Sequence, residues 1–143
     1  MAHANYSANK EKLVNRLTKT HQDSQEWLSA IEFWKFELVF FQKLIDKNFL
    51  RVTLVDKMRA LEEYEKQINH LMTHDLAQVE AEVKKHEHYL NKIESGDSDV
   101  DDVTYRAEHQ NEAMKMNKIT LKIRDFKKSL FNNIEHLSDH SLT

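Results

Sequence analysis

The chain has 143 residues, of which 40% are hydrophobic and 31% charged, with one glycine, no proline and no cysteine. That is one domain's length. The near-absence of glycine and proline argues for long helices, and against a β-sandwich, a glycine-dependent nucleotide fold, a disulfide scaffold or a thiolate metal site. Lys plus Arg total 21 against 24 acids, a formal charge of −3 with no basic block, so nothing marks a nucleic-acid partner.

Residues Met1 to Lys12 are polar and lack the apolar core of a secretory signal. A mean hydropathy of −0.73, with no long apolar run, excludes a membrane span. The expectation is a bacterial-type cytoplasmic protein: a single domain over 1–143, all-α, an antiparallel up-down-up bundle of three long helices.

Helix 1 is expected over residues 8–47. Its seam runs Leu13, Leu17, Thr20, Ser24, Trp27, Ile31, Trp34, Leu38, Phe41, Ile45, in alternating steps of three and four, which is a coiled-coil pattern. The polar stretch His21–Ser24 leaves a break there open. A second stripe, Phe33, Phe36, Phe40 and Leu44, lies nearly opposite Trp27 and Trp34. Either helix 1 buries an unusually wide face within the chain, or this stripe pairs with a second copy and completes a larger bundle as a homodimer.

Asp46-Lys47-Asn48-Phe49 ends helix 1, and Thr53 with Asp56 gives a T-x-x-D start for helix 2 over residues 53–95. Its expected seam is Leu54, Met58, Leu61, Glu65, Ile68, Met72, Asp75, Val79, Glu82, His86, Leu90, Ile93. Gly96 suits the left-handed position after a helix, and Asp97, Asp99, Asp101 and Asp102 suit the N-terminal end of the next. Helix 3, over residues 100–138, carries Tyr105, Glu108, Glu112, Met116, Ile119, Ile123, Phe126, Leu130, Ile134 and Leu137 on its seam. Short connections make neighbouring helices antiparallel.

Polar seam residues gather toward the helix 2–helix 3 turn. Antiparallel pairing brings Glu82 and His86 level with Glu108, His109 and Glu112, and Arg16 of helix 1 falls at this height on its apolar side. One reading is a polar layer in which Arg16 and His86 answer Glu82 and Glu112, fixing register at a cost in stability. A second is a metal site with Glu82, His86, Glu108 and Glu112 as ligands, ferritin- or hemerythrin-like by analogy only. Carboxylates with imidazole suit iron, manganese or zinc, but the chain has no Glu-x-x-His of the di-iron kind. In a third, the cluster splays into solvent.

Asp97-Ser98-Asp99-Val100-Asp101 with Glu108 has calcium-loop spacing, but Asp102 stands where that loop needs glycine and Thr104 where it needs an aliphatic residue. Acidic capping of helix 3 is the simpler reading. His70 with His74, and His136 with His140, are i, i+4 pairs. His70, His74 and His88 point away from the expected seam, and His3 and His21 have no assigned partner. No nucleophile elbow, reactive cysteine or phosphate loop is present, so neither catalysis nor a cofactor is expected.

The segment Glu32-Phe33-Trp34-Lys35-Phe36-Glu37-Leu38-Val39-Phe40-Phe41-Gln42, with the later Thr73-His74-Asp75-Leu76, resembles an uncharacterised family of short helical proteins from Bacteroidetes-type bacteria. Those carry an E-F-[aromatic]-K-x-E-L…F-Q stretch and a later K-H-D or K-H-E. The likeness covers about half the chain, and it implies no established activity. Residues Asp75 to Glu87 are similar to the second helix of a spectrin repeat, with Trp27 like its first-helix tryptophan. The distance from Trp27 to Asp75 is too long for that repeat, so this is convergent heptad chemistry. The functional expectation is a non-enzymatic interaction or scaffold protein acting through Phe33, Phe36, Phe40 and Leu44. The alternative is the carboxylate–histidine metal bundle.

Overall fold

The computed structural model describes residues 2–95 and 102–141, and within these the side chains outside 2–10, 13, 102 and 135–141. Gly96, the calcium-like run 97–101, and the side chains of His3, Leu13, His136, Leu137 and His140 therefore lie outside the described residues. The described residues form four α-helices: α1 (Ala2–Phe49), α2 (Val55–His70), α3 (Ala77–Glu94) and α4 (Asp102–Ser141). A single π-helical turn, Leu71–Leu76, joins α2 to α3. The residues at its two ends, His70 and Ala77, keep right-handed helical dihedrals, so α2, the π turn and α3 form one rod. The architecture is thus the expected three-rod bundle, and no strand occurs among the described residues.

α1 runs unbroken through His21–Ser24, and at about 1.5 Å per residue its 48 residues span about 72 Å. Its buried positions Leu17, Thr20, Ser24, Ile31, Leu38, Phe41 and Ile45 are those of the expected seam, and Asn48 is buried one step beyond it. The turn to α2 differs from the T-x-x-D expectation. Leu54, not Thr53, is the N-cap residue, in extended conformation and without a side-chain cap. Asn48 stabilises the turn instead: buried, it donates from Nδ2 to Leu44 O at 2.8 Å, and Arg51 N donates to Asn48 O at 3.1 Å.

The middle rod needs a correction. Its buried positions are Leu61, Tyr64, Ile68, Leu71, Leu76, Val79, Val83, His86 and Leu90, with Glu87 buried beside His86. Steps of three and four alternate except from Leu71 to Leu76, where the step is five. In an α-helix five residues overshoot a full number of turns by about 140°. The i→i+5 bonding of a π turn, at roughly 4.4 residues per turn, reduces that to about 50°. The π turn therefore absorbs one extra residue and keeps the apolar face on the core. The uninterrupted seam with Glu65, Met72, Asp75 and Glu82 gives way to Tyr64, Leu71, Leu76 and Val83. Glu65 is exposed, and Met72, Asp75 and Glu82 sit half-buried at the margin.

Side-chain pairs fix the directions. His86 meets His109, Lys115 meets Glu82 and Tyr64 meets Ser129, so the middle rod and α4 are antiparallel. Asp23 meets His109 and Glu37 meets Lys127, so α1 and α4 run the same way. The large core holds Ile31, Leu38, Phe41, Ile45, Leu61, Leu76, Ile123, Phe126 and Leu130. A small second cluster, Leu17, Leu90 and Tyr105, lies toward the α3–α4 connection. Between the two sits a layer of buried polar residues.

Candidate functional site

That polar layer is built from all three rods. Thr20 and Ser24 on α1, His86 and Glu87 on α3 and Glu112 on α4 are buried there. A relay crosses it. His86 Nε2 lies 3.2 Å from His109 Nδ1, and His109 Nε2 lies 3.0 Å from Asp23 Oδ2. The rings are held by stacking: His86 on Tyr105 and His109 on Trp27, each with centroids 4.8 Å apart. Burial first, and then the neighbouring His109, lowers the pKa of His86 below its ordinary value, which favours the neutral ring. Beside it, His21 Nδ1 lies 2.7 Å from Glu87 Oε2.

The four carboxylate–histidine candidates line one groove but form no common coordination sphere. Glu82 accepts from Lys115 Nζ at 2.7 Å, and Glu112 lies 3.7 Å from the same ammonium. Lys115 thus takes the place between these carboxylates that a metal ion would need. His86 turns Nε2 to His109, while its Nδ1 is 4.0 Å from the exposed Glu108. Arg16 is exposed, and the cation seen against Glu82 and Glu112 is Lys115. Burial raises the pKa of Glu112, against the pull of Lys115. Burial likewise pushes the Tyr105 hydroxyl up. Among the described residues, Ser24 Oγ, Glu87 Oε1 and Glu112 Oε2 have no hydrogen-bond partner. A layer satisfied in part costs stability but fixes register, because a slip would bury Asp23 or Lys115 against apolar side chains.

The aromatic stripe of α1 lies on the outside. Phe33 is 59% exposed, Phe36 76% and Phe40 57%, while Leu44 is half-buried. The intramolecular-core reading of the stripe therefore does not hold for the three phenylalanines. Val39 flanks the stripe on the α2 side, and on the α4 side Phe40 contacts Phe41, which packs edge-on against Phe131 at 5.5 Å. Val39 and Phe131 are themselves 47% and 45% exposed.

Ion pairs at the margins pin the rods from either side of the stripe. Lys35 Nζ reaches Glu80 at 2.5 Å, and Lys127 reaches both oxygens of Glu37 at 2.8 and 2.9 Å. The hydrogen bond to Glu80 raises the Lys35 pKa, and the same bond lowers that of Glu80.

Reasoning from sequence placed His86, His109, Glu82, Glu108 and Glu112 at one height but missed Asp23, Glu87 and Lys115. Asp23 lies beside Ser24 in the polar stretch of the α1 seam, and that stretch was the available signal. It also treated His70 and His74 as an isolated pair. Among the described residues, the grouping with ligand atoms mutually close enough for one ion is His70, His74 and Asp75, in and beside the π turn. No helix among the described residues is long and apolar enough to cross a membrane. No protein-family model matches the chain, and neither does a curated protein or a solved structure.

Proposed function

We propose that the chain is a non-enzymatic interaction protein, a helical bundle that pairs with a second copy of itself through the stripe Phe33, Phe36, Phe40 and Leu44, and that it works in the cytoplasm of a bacterial-type cell. The observation that carries this reading is the exposure of three phenylalanines in three consecutive turns of a rigid helix. At about 200 Å² per ring, they leave roughly 350–400 Å² of aromatic surface in water. A patch of that size matches the largest apolar patch of a typical monomer, which is often functional. It supplies about half of the roughly 800 Å² per partner in a stable interface. Val39, Leu44 and Phe131 extend it.

Charge placement favours a second copy as the occupant. In an antiparallel two-fold pairing centred at Leu38, Phe36 faces Phe40 of the other copy, and Phe33 and Leu44 come within about 1.5 Å of the same height. The same centre brings Glu32 within about 1.5 Å of the height of Lys43, twice over, along one flank of the stripe. Both are exposed charges on the sequence, and an isologous contact uses each such pair reciprocally.

Light scattering against concentration tests this. The expected mass rises from 17.0 kDa toward twice that value, with a dissociation constant in the micromolar range (order of 10⁻⁶ M) suited to a small interface. Phe36→Ser with Phe40→Ser is expected to give a soluble monomer. Glu32→Lys is expected to weaken pairing, and adding Lys43→Glu to restore it. A wild-type chain that stays at 17.0 kDa at every concentration overturns the reading.

A further inference from the structure

We infer that the π turn builds a divalent transition-metal site from His70, His74 and Asp75, with zinc-class preference and at least one coordination position left for water. The ligand atoms already converge. Asp75 Oδ1 lies 3.9 Å from His70 Nε2 and 3.8 Å from His74 Nδ1, and all three lie within 4.8 Å of one another. The two imidazoles lie side by side, tilted by 50° with centroids 4.7 Å apart. Bonds of about 2.0–2.2 Å to zinc place ligand atoms roughly 3.0–3.5 Å apart. Closing the set asks for shifts of about half an ångström or more. The imidazoles, 61% and 58% exposed, are free to turn by that much.

The backbone explains why the third ligand is there. His70 and His74 are neighbours on any helix as an i, i+4 pair. Asp75 is five residues from His70, and on an α-helix it would point about 140° away. In the π turn it returns to the same side. The register skip that keeps Leu76 in the core therefore also delivers a carboxylate to the histidine pair. π turns inside helices recur at functional sites for this reason.

The carboxylate is held as well as aimed. Asp75 is only 12% exposed, and Lys122 Nζ lies 3.5 Å from its other oxygen, Oδ2, so Oδ1 remains for the metal. An outer-sphere contact of this kind orients a ligand before the ion arrives. Two imidazoles and one carboxylate suit zinc, iron(II), cobalt or nickel rather than calcium or magnesium, which prefer all-oxygen shells. His70 and Asp75 also line an open groove between the middle rod and α4, with Lys66, Phe126 and Ser129 on its walls, so solvent reaches the ion from that side.

The test uses the full chain without a histidine tag, stripped with a chelator and desalted. Zinc affinity is read by competition with a chromophoric chelator, and coordination by the visible absorption of cobalt(II). One equivalent per chain is expected at micromolar affinity or tighter (order of 10⁻⁶ M), with cobalt bands of a low-coordinate nitrogen–oxygen site. His70→Gln, His74→Gln and Asp75→Asn are each expected to weaken binding at least about tenfold. His88→Gln, at an exposed histidine outside the cluster, is expected to leave it unchanged. Helicity by circular dichroism guards against misfolded variants. Two results overturn the proposal. Either Asp75→Asn binds zinc as tightly as the native chain, which leaves a bare histidine pair, or the triple variant retains its equivalent, which puts the ion elsewhere.

Discussion

The register of the middle rod makes a paired prediction. An uninterrupted heptad puts Met72, Asp75 and Glu82 on the core, whereas the π turn puts Leu71, Leu76 and Val83 there. Alanine at each position separates the two. Leu76 and Val83 are fully buried and Leu71 is 6% exposed. Leu76→Ala and Leu71→Ala are expected to cost about 2–5 kcal/mol each, from lost transfer energy plus the cavity left behind. Val83→Ala removes less and should cost about 2 kcal/mol. Met72 touches the core only from its margin, so Met72→Ala should cost about 1 kcal/mol. Glu82→Ala loses a partly exposed pair with Lys115 and should stay within about 1 kcal/mol. At about 4 °C per kcal/mol, Leu76→Ala lowers Tm by roughly 8–20 °C and Glu82→Ala by no more than about 4 °C. Urea unfolding at fixed protein concentration reads the same order as shifts in midpoint with an unchanged m-value. Met72→Ala or Glu82→Ala proving costlier than Leu71→Ala and Leu76→Ala would refute the register, and with it the argument that brings Asp75 to the histidines.

Three further outcomes follow from the polar layer and the core. Because burial lowers the His86 pKa, the unfolded chain binds that proton more readily; the stability it contributes is whole above its ordinary value of 6.5 and drains away as pH falls toward the lower folded value. Urea midpoints between pH 7.5 and 5 should therefore fall, and His86→Gln should flatten that fall; an unaltered slope in the variant would count against it. Glu112 has the opposite sign: its raised pKa means the folded chain holds the proton better, so its contribution is present below its ordinary 4.5 and lost as pH rises through the folded value. Glu112→Gln should accordingly raise the midpoint at pH 7, by about 1 kcal/mol or less, and a clear loss would show that Lys115 depends on that charge. Tyr64, buried, bonds Ser129 O at 3.1 Å and Ser129 Oγ at 2.8 Å and accepts from Asn133, so Tyr64→Phe should cost about 1–2 kcal/mol in the same assay.

Helical class, three rods and their up-down-up order were legible in the sequence, because composition and periodicity are local properties. A chain with one glycine and no proline has few places to stop a helix. The α1 seam from Leu17 to Ile45 was legible for the same reason, since every step in it is three or four. The α4 seam was legible from Glu112 to Leu130, but Glu108 was placed on it and is exposed. The stripe at Phe33, Phe36 and Phe40 was visible as surplus apolar surface; only the packed structure decided that it faces water, because that depends on which side of α1 the other two rods occupy. The π turn was not legible in a seven-residue repeat: Leu71 and Leu76 are adjacent members of one apolar face only if a step of five is allowed. Asp23, Lys115 and Asp75 likewise take their roles from across the bundle or from a changed helical pitch. Sequence determined which faces must be buried, since that is set by residue type and period. Tertiary structure decided which polar groups meet, since that is set by the relative height and rotation of the rods.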